Sequence, residues 1–333
     1  MTNLYKILFL KFMIIGTMIS ISSISWILAW MGMEVNLLAF LPLLKKMKKK
    51  NNTEMSLKYF ITQAMASSIL LFSIIITLNL EKSLLDYTSI FTDMALMLKL
   101  GIAPMHFWLV EIMSKMEWNL IIILSTWQKI APMLLIFYSS NNLLFISLMI
   151  IISSIFSSIQ GLNQICLRKI LAYSSINHMS WMMSALLISP SIWWCYFTFY
   201  SLANINFITL LQKYKIFYLN QLSNLLSFNK TFKFLFMMNL FSLGGLPPFM
   251  GFFPKWLVIN LLVQTKLIFM ATMTILFSLI SLFFYIRVCF STLMLFCSNS
   301  SISTKMNLSF LSMTTNFLSM LTLLWMPLLL KFF

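Results

Sequence analysis

Apolar residues in this chain neither alternate at the two-residue period of a strand nor confine themselves to one helical stripe. They fill whole runs of about 20 residues, the length that carries a helix across a bilayer core. Eleven such runs are predicted, over residues 4–20, 24–44, 57–78, 88–112, 118–138, 143–159, 170–188, 192–211, 232–263, 267–290 and 308–330. Short charged or Asn/Ser/Pro links separate them. Hydrocarbon offers no partner to backbone N–H and C=O groups, and helices satisfy those groups within each segment. The expected fold is therefore all-α, a polytopic transmembrane helical bundle of about eleven helices.

Two runs are interrupted. The fourth contains Gly101 and Pro104; the ninth, too long for one ordinary helix, contains Gly244, Gly245, Pro247, Pro248, Gly251 and Pro254. Each reads as two half-helices around unwound backbone. The interruptions lie five segments apart, an odd number, so the pattern predicts two inverted five-helix repeats within a single membrane domain, each with a broken helix. The first repeat spans 1–139 and the second 140–292, and 293–333 adds one C-terminal helix.

Composition agrees: 60% of the 333 residues are hydrophobic and 9% charged, with a mean hydropathy of +0.92. No stretch remains for a soluble catalytic domain. The net charge of +16 suggests a nucleic-acid binder until the basic residues are placed. Lys45, Lys46, Lys48, Lys49, Lys50 and Lys58 follow the second run, Arg168 and Lys169 the sixth, and Lys213, Lys215, Lys230 and Lys233 the eighth. All fall on one side, against Glu81, Lys82, Asp86 and Lys266 on the other, so they set topology, with no nucleic-acid role expected. The N-terminus belongs on the basic side and the C-terminus opposite. Cys166, Cys195, Cys289 and Cys297 have no paired spacing, which predicts no disulfide framework, zinc site or iron–sulfur ligation. The N-terminus runs almost directly into an apolar helix, so no cleavable leader is expected. Abundant Met, Phe, Ile, Asn and Lys against few Gly fit an A/T-rich organellar genome.

The chemistry lies in ionisable residues at mid-depth: Glu34, Lys99, Lys129 and Lys255, each near the middle of its run. A charge there costs about 2.5–3.5 kcal/mol even on a lenient insertion scale. One such lysine reads as the structural partner of a carboxylate or of helix-end carbonyls; four ionisable groups together point to mutual pairing or internal water. Desolvation favours a neutral amine and a nearby carboxylate favours an ammonium, so moving one partner switches a lysine between holding and releasing a proton. Prolines accompany these lysines. Pro104 is expected to remove the hydrogen bond to the carbonyl of Leu100, and Pro132 that to Gln128, while Pro247, Pro248 and Pro254 precede Lys255. Unwound backbone holds water at membrane depth, although transmembrane helices also carry Pro and Gly for packing alone.

His178 and His106 are further candidates for proton relay, with Tyr173, Ser174 and Ser175 near the former; a hydrogen-bonded packing role is the alternative. Asp93 and Glu111, nearer the ends of the fourth run, read as its entrance or exit or as interface anchors. No glycine fingerprint, phosphate loop or metal-ligand spacing occurs. No cofactor is expected in this chain, and any electron transfer would belong to partner subunits.

Five stretches carry a family likeness: WMGMEVNLLAFLP around Glu34, KLGIAPMHFWLVE from Lys99 to Glu111, WQKIAP around Lys129, LRKILAYSSINHMSWM from Leu167 to Met182, and SLGGLPPFMGFFPKW ending at Trp256. They resemble the subunit-2 family of mitochondrial NADH dehydrogenase, antiporter-like subunits related to cation/proton antiporters. The likeness covers most of Trp30 to Trp256. It implies a place in the proton-pumping membrane arm of complex I, whose NADH, FMN, iron–sulfur clusters and ubiquinone are handled by partner subunits. The implied partners are neighbouring antiporter-like and small hydrophobic subunits and inner-membrane lipids including cardiolipin. The implied location is the mitochondrial inner membrane, with the basic side toward the matrix and the C-terminus in the intermembrane space. Glu34 looks like the carboxylate paired with Lys99, Lys129 like the central connecting lysine and Lys255 like the lysine of the second half-channel. Eleven helices match the animal form, shorter at its N-terminus than the bacterial one. Met105 stands where the family usually has Phe, and Val110-Glu111 replaces a Val-Pro-Glu. A stand-alone cation/proton antiporter and a purely structural membrane subunit are the competing readings.

Overall fold

Residues 2–44, 50–79, 85–139, 142–226, 230–247 and 249–294 are described in the computed structural model. The elements along them are all helical: α1 (Thr2–Ser22), α2 (Trp26–Leu44), α3 (Lys50–Asn79), α4 (Leu85–Leu100), α5 (Phe107–Lys115), α6 (Trp118–Ser125), α7 (Trp127–Ser139), α8 (Leu143–Leu162), α9 (Leu167–Leu186), α10 (Pro190–Tyr214), α11 (Leu219–Leu226), α12 (Lys230–Gly244), α13 (Phe252–Gln264) and α14 (Ile268–Met294). Six helical stretches among the described residues are long and apolar enough to span a bilayer: Leu4–Ser22, Trp26–Leu44, Thr53–Leu78, Trp118–Ser139, Leu143–Leu162 and Ile268–Phe290. The expected eleventh segment, 308–330, lies outside the described residues. The chain divides into two compact units, Met1–Met149 and Ile150–Phe333.

In the first unit α1 and α2 form a tight hairpin. A Cβ on Gly32 would stand 2.6 Å from the backbone nitrogen of Ser20, and one on Gly16 2.8 Å from that of Asn36. Only glycine allows the two backbones to approach so closely. α3 packs against α2, α4 and α5, and α7 against α4 and α1. Outward residues of α1 to α3, such as Leu8, Ile15, Met31, Leu38 and Ile61, are exposed and apolar, as a lipid-facing surface requires. Exposed ion pairs join Lys58 to Glu54 and Glu111, and Lys115 to Glu54. Glu111 is thus held in an exposed ion pair.

The second unit is organised around α9, in which every residue from Ile170 to Leu186 is buried. That explains why α9, with its Ser, Asn, His and Tyr residues, misses the hydropathy of a lipid-facing span: α10, α13 and α14 surround it. The link before α9 pairs with the segment after α10 through an antiparallel bridge between Cys166 and Tyr218. Nearby, the Arg168 guanidinium covers the Phe217 ring, and Arg287 of α14 donates to the Gln164 carbonyl. The short helix α11, a stretch expected to be a link, follows directly.

Candidate functional site

Both interrupted helices end in the same way. In α4, Gly101 takes a positive φ of 73°, its N–H bonds to the carbonyl of Leu98, and the N–H of Ile102 bonds to that of Met97. In α12, Gly245 takes a φ of 77°, with its N–H on Ser242 and that of Leu246 on Phe241. A left-handed glycine with these paired bonds closes a helix and satisfies carbonyls left without intrahelical donors. Glycine therefore terminates each half-helix, correcting the role expected of Pro104, which lies in the unwound stretch after the helix has already ended. Pro254 sits in the first turn of α13, where no intrahelical N–H is needed. Pro132 lies inside α7 as expected.

Carbonyls at these ends define two sites. At the end of α4, the Trp108 indole donates to the Leu98 carbonyl at 3.1 Å and the Gln63 amide to that of Lys99 at 3.3 Å. Lys99 itself turns inward, its Nζ 3.8 Å from the Met33 sulfur. It shares a cavity with Lys129, Asn36, Gln63, Gln128 and Tyr59. Lys99 and Lys129 are only 8% and 2% exposed. The space open to the centre of a water molecule is about 30 Å³, enough to hold water. One wall is fixed by the Gln128 amide donating to Asn36 at 2.9 Å. A short break at Thr126 separates α6 from α7 and leads into the turn that carries Lys129.

The structure brings Lys99 and Lys129 together on one cavity. Among the described residues no ion pair joins Glu34 to Lys99, and Glu34 has one carboxylate oxygen buried without a hydrogen-bond partner. His106 lies on the broken stretch, stacked on Phe107 with Nδ1 3.2 Å from the Pro104 carbonyl. It is absent from the lining of the lysine cavity.

In the second unit Lys255 donates to the carbonyl of Gly244 at 2.9 Å, so its ammonium caps the negative end of α12 across the unwound stretch. Gly245 leaves room for it: a Cβ there would stand 2.9 Å from Nζ. The Trp181 ring lies 6.0 Å from the same nitrogen. His178, one turn earlier on α9, has Nδ1 3.0 Å from the Tyr196 hydroxyl. His178, Tyr196, Tyr200, Ser242 and Pro254 line a small cavity. Three buried tyrosines were missed from sequence: Tyr196, Tyr200, hydrogen-bonded to Asn204 and Ser175, and Tyr285, hydrogen-bonded to Ser174. The i, i+4 spacing of Tyr196, Tyr200 and Asn204 would have marked one polar face of α10. Among the described residues no group of His, Cys, Asp and Glu is placed to hold a metal ion.

Comparison with known proteins matches this arrangement to one family. The family described as NADH:quinone oxidoreductase/Mrp antiporter, transmembrane, matches residues 23–281. Relatives named NADH-ubiquinone oxidoreductase chain 2 include one from Anopheles gambiae, 45% identical over 94% of this chain and 94% of its own. Another, from Locusta migratoria, is 40% identical over 96% of this chain and 94% of its own. A chain in the structure of respiratory complex I from Thermus thermophilus superposes with a TM-score of 0.81 at 20% identity, covering 97% of this chain and 79% of that one. One in the Mrp complex from Dietzia gives 0.76 at 18% identity, over 86% and 60%. These structural likenesses concern the fold, whereas the sequence matches run nearly end to end, and on them the chain belongs to the NADH-ubiquinone oxidoreductase chain 2 family of antiporter-like membrane subunits.

Proposed function

We propose that this protein is a membrane-arm subunit of respiratory complex I and contributes a proton-translocation pathway coupled to electron transfer from NADH to ubiquinone. The observation that carries this reading is the burial of Lys99 and Lys129 on one polar-lined cavity of water-holding size. Two amines placed so exchange protons through water, and each transfer moves a charge whose energy depends on nearby ions. Glu34 acts on Lys99 without locking it in an ion pair, so a small displacement of the carboxylate changes the proton affinity of Lys99. Lys129 is the next carrier. Lys255, docked on the end of α12, is the carrier of the second unit, with His178 and the Tyr196 hydroxyl beside the unwound stretch. His106 orients the first unwound stretch.

In this reading the chain holds no cofactor, and NADH, FMN, iron–sulfur clusters and ubiquinone are handled by partner subunits. Its partners are the neighbouring antiporter-like and small hydrophobic subunits and inner-membrane lipids including cardiolipin. The basic links face the mitochondrial matrix with the N-terminus, and the C-terminus faces the intermembrane space. The test is Lys99→Met in the assembled enzyme: NADH oxidation continues and proton translocation per NADH falls. Undiminished translocation refutes the reading. The likeness to an Mrp complex favours one alternative, a cation/proton antiporter acting alone, which transport in vesicles lacking any oxidoreductase would reveal.

A further inference from the structure

The far end of the α4–α7 pair holds a carboxyl group that the lysine route does not use. Asp93 lies on α4, six residues before Lys99, and is 0% exposed. Its Oδ1 accepts the hydroxyl of Ser139, the last residue of α7, at 2.5 Å. Its Oδ2 is buried without a hydrogen-bond partner. One turn toward the α4 N-terminus, the amide of the half-buried Asn142, in the turn between α7 and α8, donates to the Ser89 hydroxyl at 2.7 Å. Polar groups therefore run from the surface at that turn to Asp93, and Asp93 and Ser139 cross-link the same two helices that carry Lys99 and Lys129.

A fixed charge at this position is poorly solvated, since a single hydroxyl serves two carboxylate oxygens. Among the described residues no cation is paired with it, and residues 63–79 of α3, alongside α4, contain no titratable side chain. On α4 the titratable residues are Asp86, Tyr87 and Lys99, and on α7 they are Lys129 and Tyr138. The one oxygen held by Ser139 anchors the group while the other is free to gain or lose a proton. Six helical residues separate Asp93 from Lys99, about 9 Å along the axis. Buried Leu96 and Met97 lie in that interval, so passage requires entering water, and the column does not conduct when dry.

We propose that Asp93 is a proton-carrying residue of the first unit, linking the Lys99–Lys129 cavity to the membrane face at the α7–α8 turn through Ser139, Ser89 and Asn142. A proton leaves the Lys99 ammonium, which becomes an amine, and converts the Asp93 carboxylate to the acid. Release at the Asn142 end restores the carboxylate, and a proton arriving from the opposite face restores the ammonium. The inference rests on Lys99 being a proton carrier, and the experiment separates the two claims.

Complete complex I carrying Asp93→Asn, Asp93→Glu or Lys99→Met is reconstituted in proteoliposomes, and protons translocated per NADH oxidised are measured. The expected result is that Asp93→Asn lowers the ratio as much as Lys99→Met does, and that Asp93→Glu restores it. A full ratio in Asp93→Asn beside a reduced one in Lys99→Met overturns the role of Asp93 alone; a full ratio in both overturns the underlying reading. Infrared difference spectra on adding NADH decide independently, including where Asp93→Asn fails to assemble. A carboxylic-acid C=O band that moves on Asp93→Glu is expected, and a spectrum identical in the two proteins overturns the proposal.

Discussion

Replacing Gly245 with alanine separates the docking of Lys255 from the integrity of the broken helix. The Cβ would stand 2.9 Å from Nζ, 3.0 Å from Cδ and 3.1 Å from Cε of Lys255, and those atoms belong to a flexible side chain that can swing away. The break survives, because the bonds from Gly245 N–H to Ser242 and from Leu246 N–H to Phe241 involve backbone only. A left-handed alanine adds strain of about 1–2 kcal/mol, within the reach of a helix end held by its neighbours. What is lost is the 2.9 Å hydrogen bond from the ammonium to the Gly244 carbonyl. A hydrogen bond to a charged group contributes about 1.5–3 kcal/mol, so the docked population falls by about one to two powers of ten at about 1.4 kcal/mol per tenfold. The control is Gly244→Ala, whose Cβ would meet Tyr285 and Leu282 at 3.6 and 3.7 Å, ordinary contacts. At a helical position the exchange favours folding by about 0.5–1 kcal/mol. Assembly is read from native gels, and coupling from protons translocated per NADH oxidised in inner-membrane vesicles. The Gly244 variant is expected to match the parent in both, and the Gly245 variant to assemble but translocate fewer protons. Parental coupling in both variants would refute a role for the docked lysine, while equal loss in both would assign the effect to packing.

Gly251→Ala should prevent accumulation of the subunit, because its Cβ would overlap the Ser242 carbonyl oxygen, a backbone atom that cannot step aside; normal amounts on an immunoblot would contradict this. Gly32→Ala forces α1 and α2 apart at Ser20 and should lower the thermal stability of the assembled membrane arm, by about 1–3 kcal/mol if the strain is typical of overpacking; an unchanged melting profile would count against the close helix contact. Lys58→Ala removes exposed ion pairs to Glu54 and Glu111, which contribute little in water, so assembly and turnover should be unaffected in enzyme assays.

The membrane character of this protein was determined locally, residue by residue. Runs of apolar side chains, links of lysine and asparagine, and glycine together with proline inside the fourth and ninth runs are enough to place helices and locate their interruptions, because lipid forbids any other solution for the backbone. Lys99, Lys129 and Lys255 stood out for the same reason: an ammonium in an apolar run is costly wherever the run packs. Tertiary structure decided what those groups touch. Only packing shows that Lys99 and Lys129 share a cavity and that Lys255 caps the half-helix preceding it. Burial also refines two local readings. The run at 170–188 reads as one more span, and only burial shows that protein surrounds it, so its Ser, Asn, His and Tyr residues face other helices. Asp93 and Glu111, alike as carboxylates near the ends of one run, part company because one points into the α4–α7 interface and the other into an exposed ion pair. Sequence fixes how much each side chain costs in hydrocarbon; the neighbours brought by folding decide whether that cost becomes an anchor, a packing contact or a place for a proton.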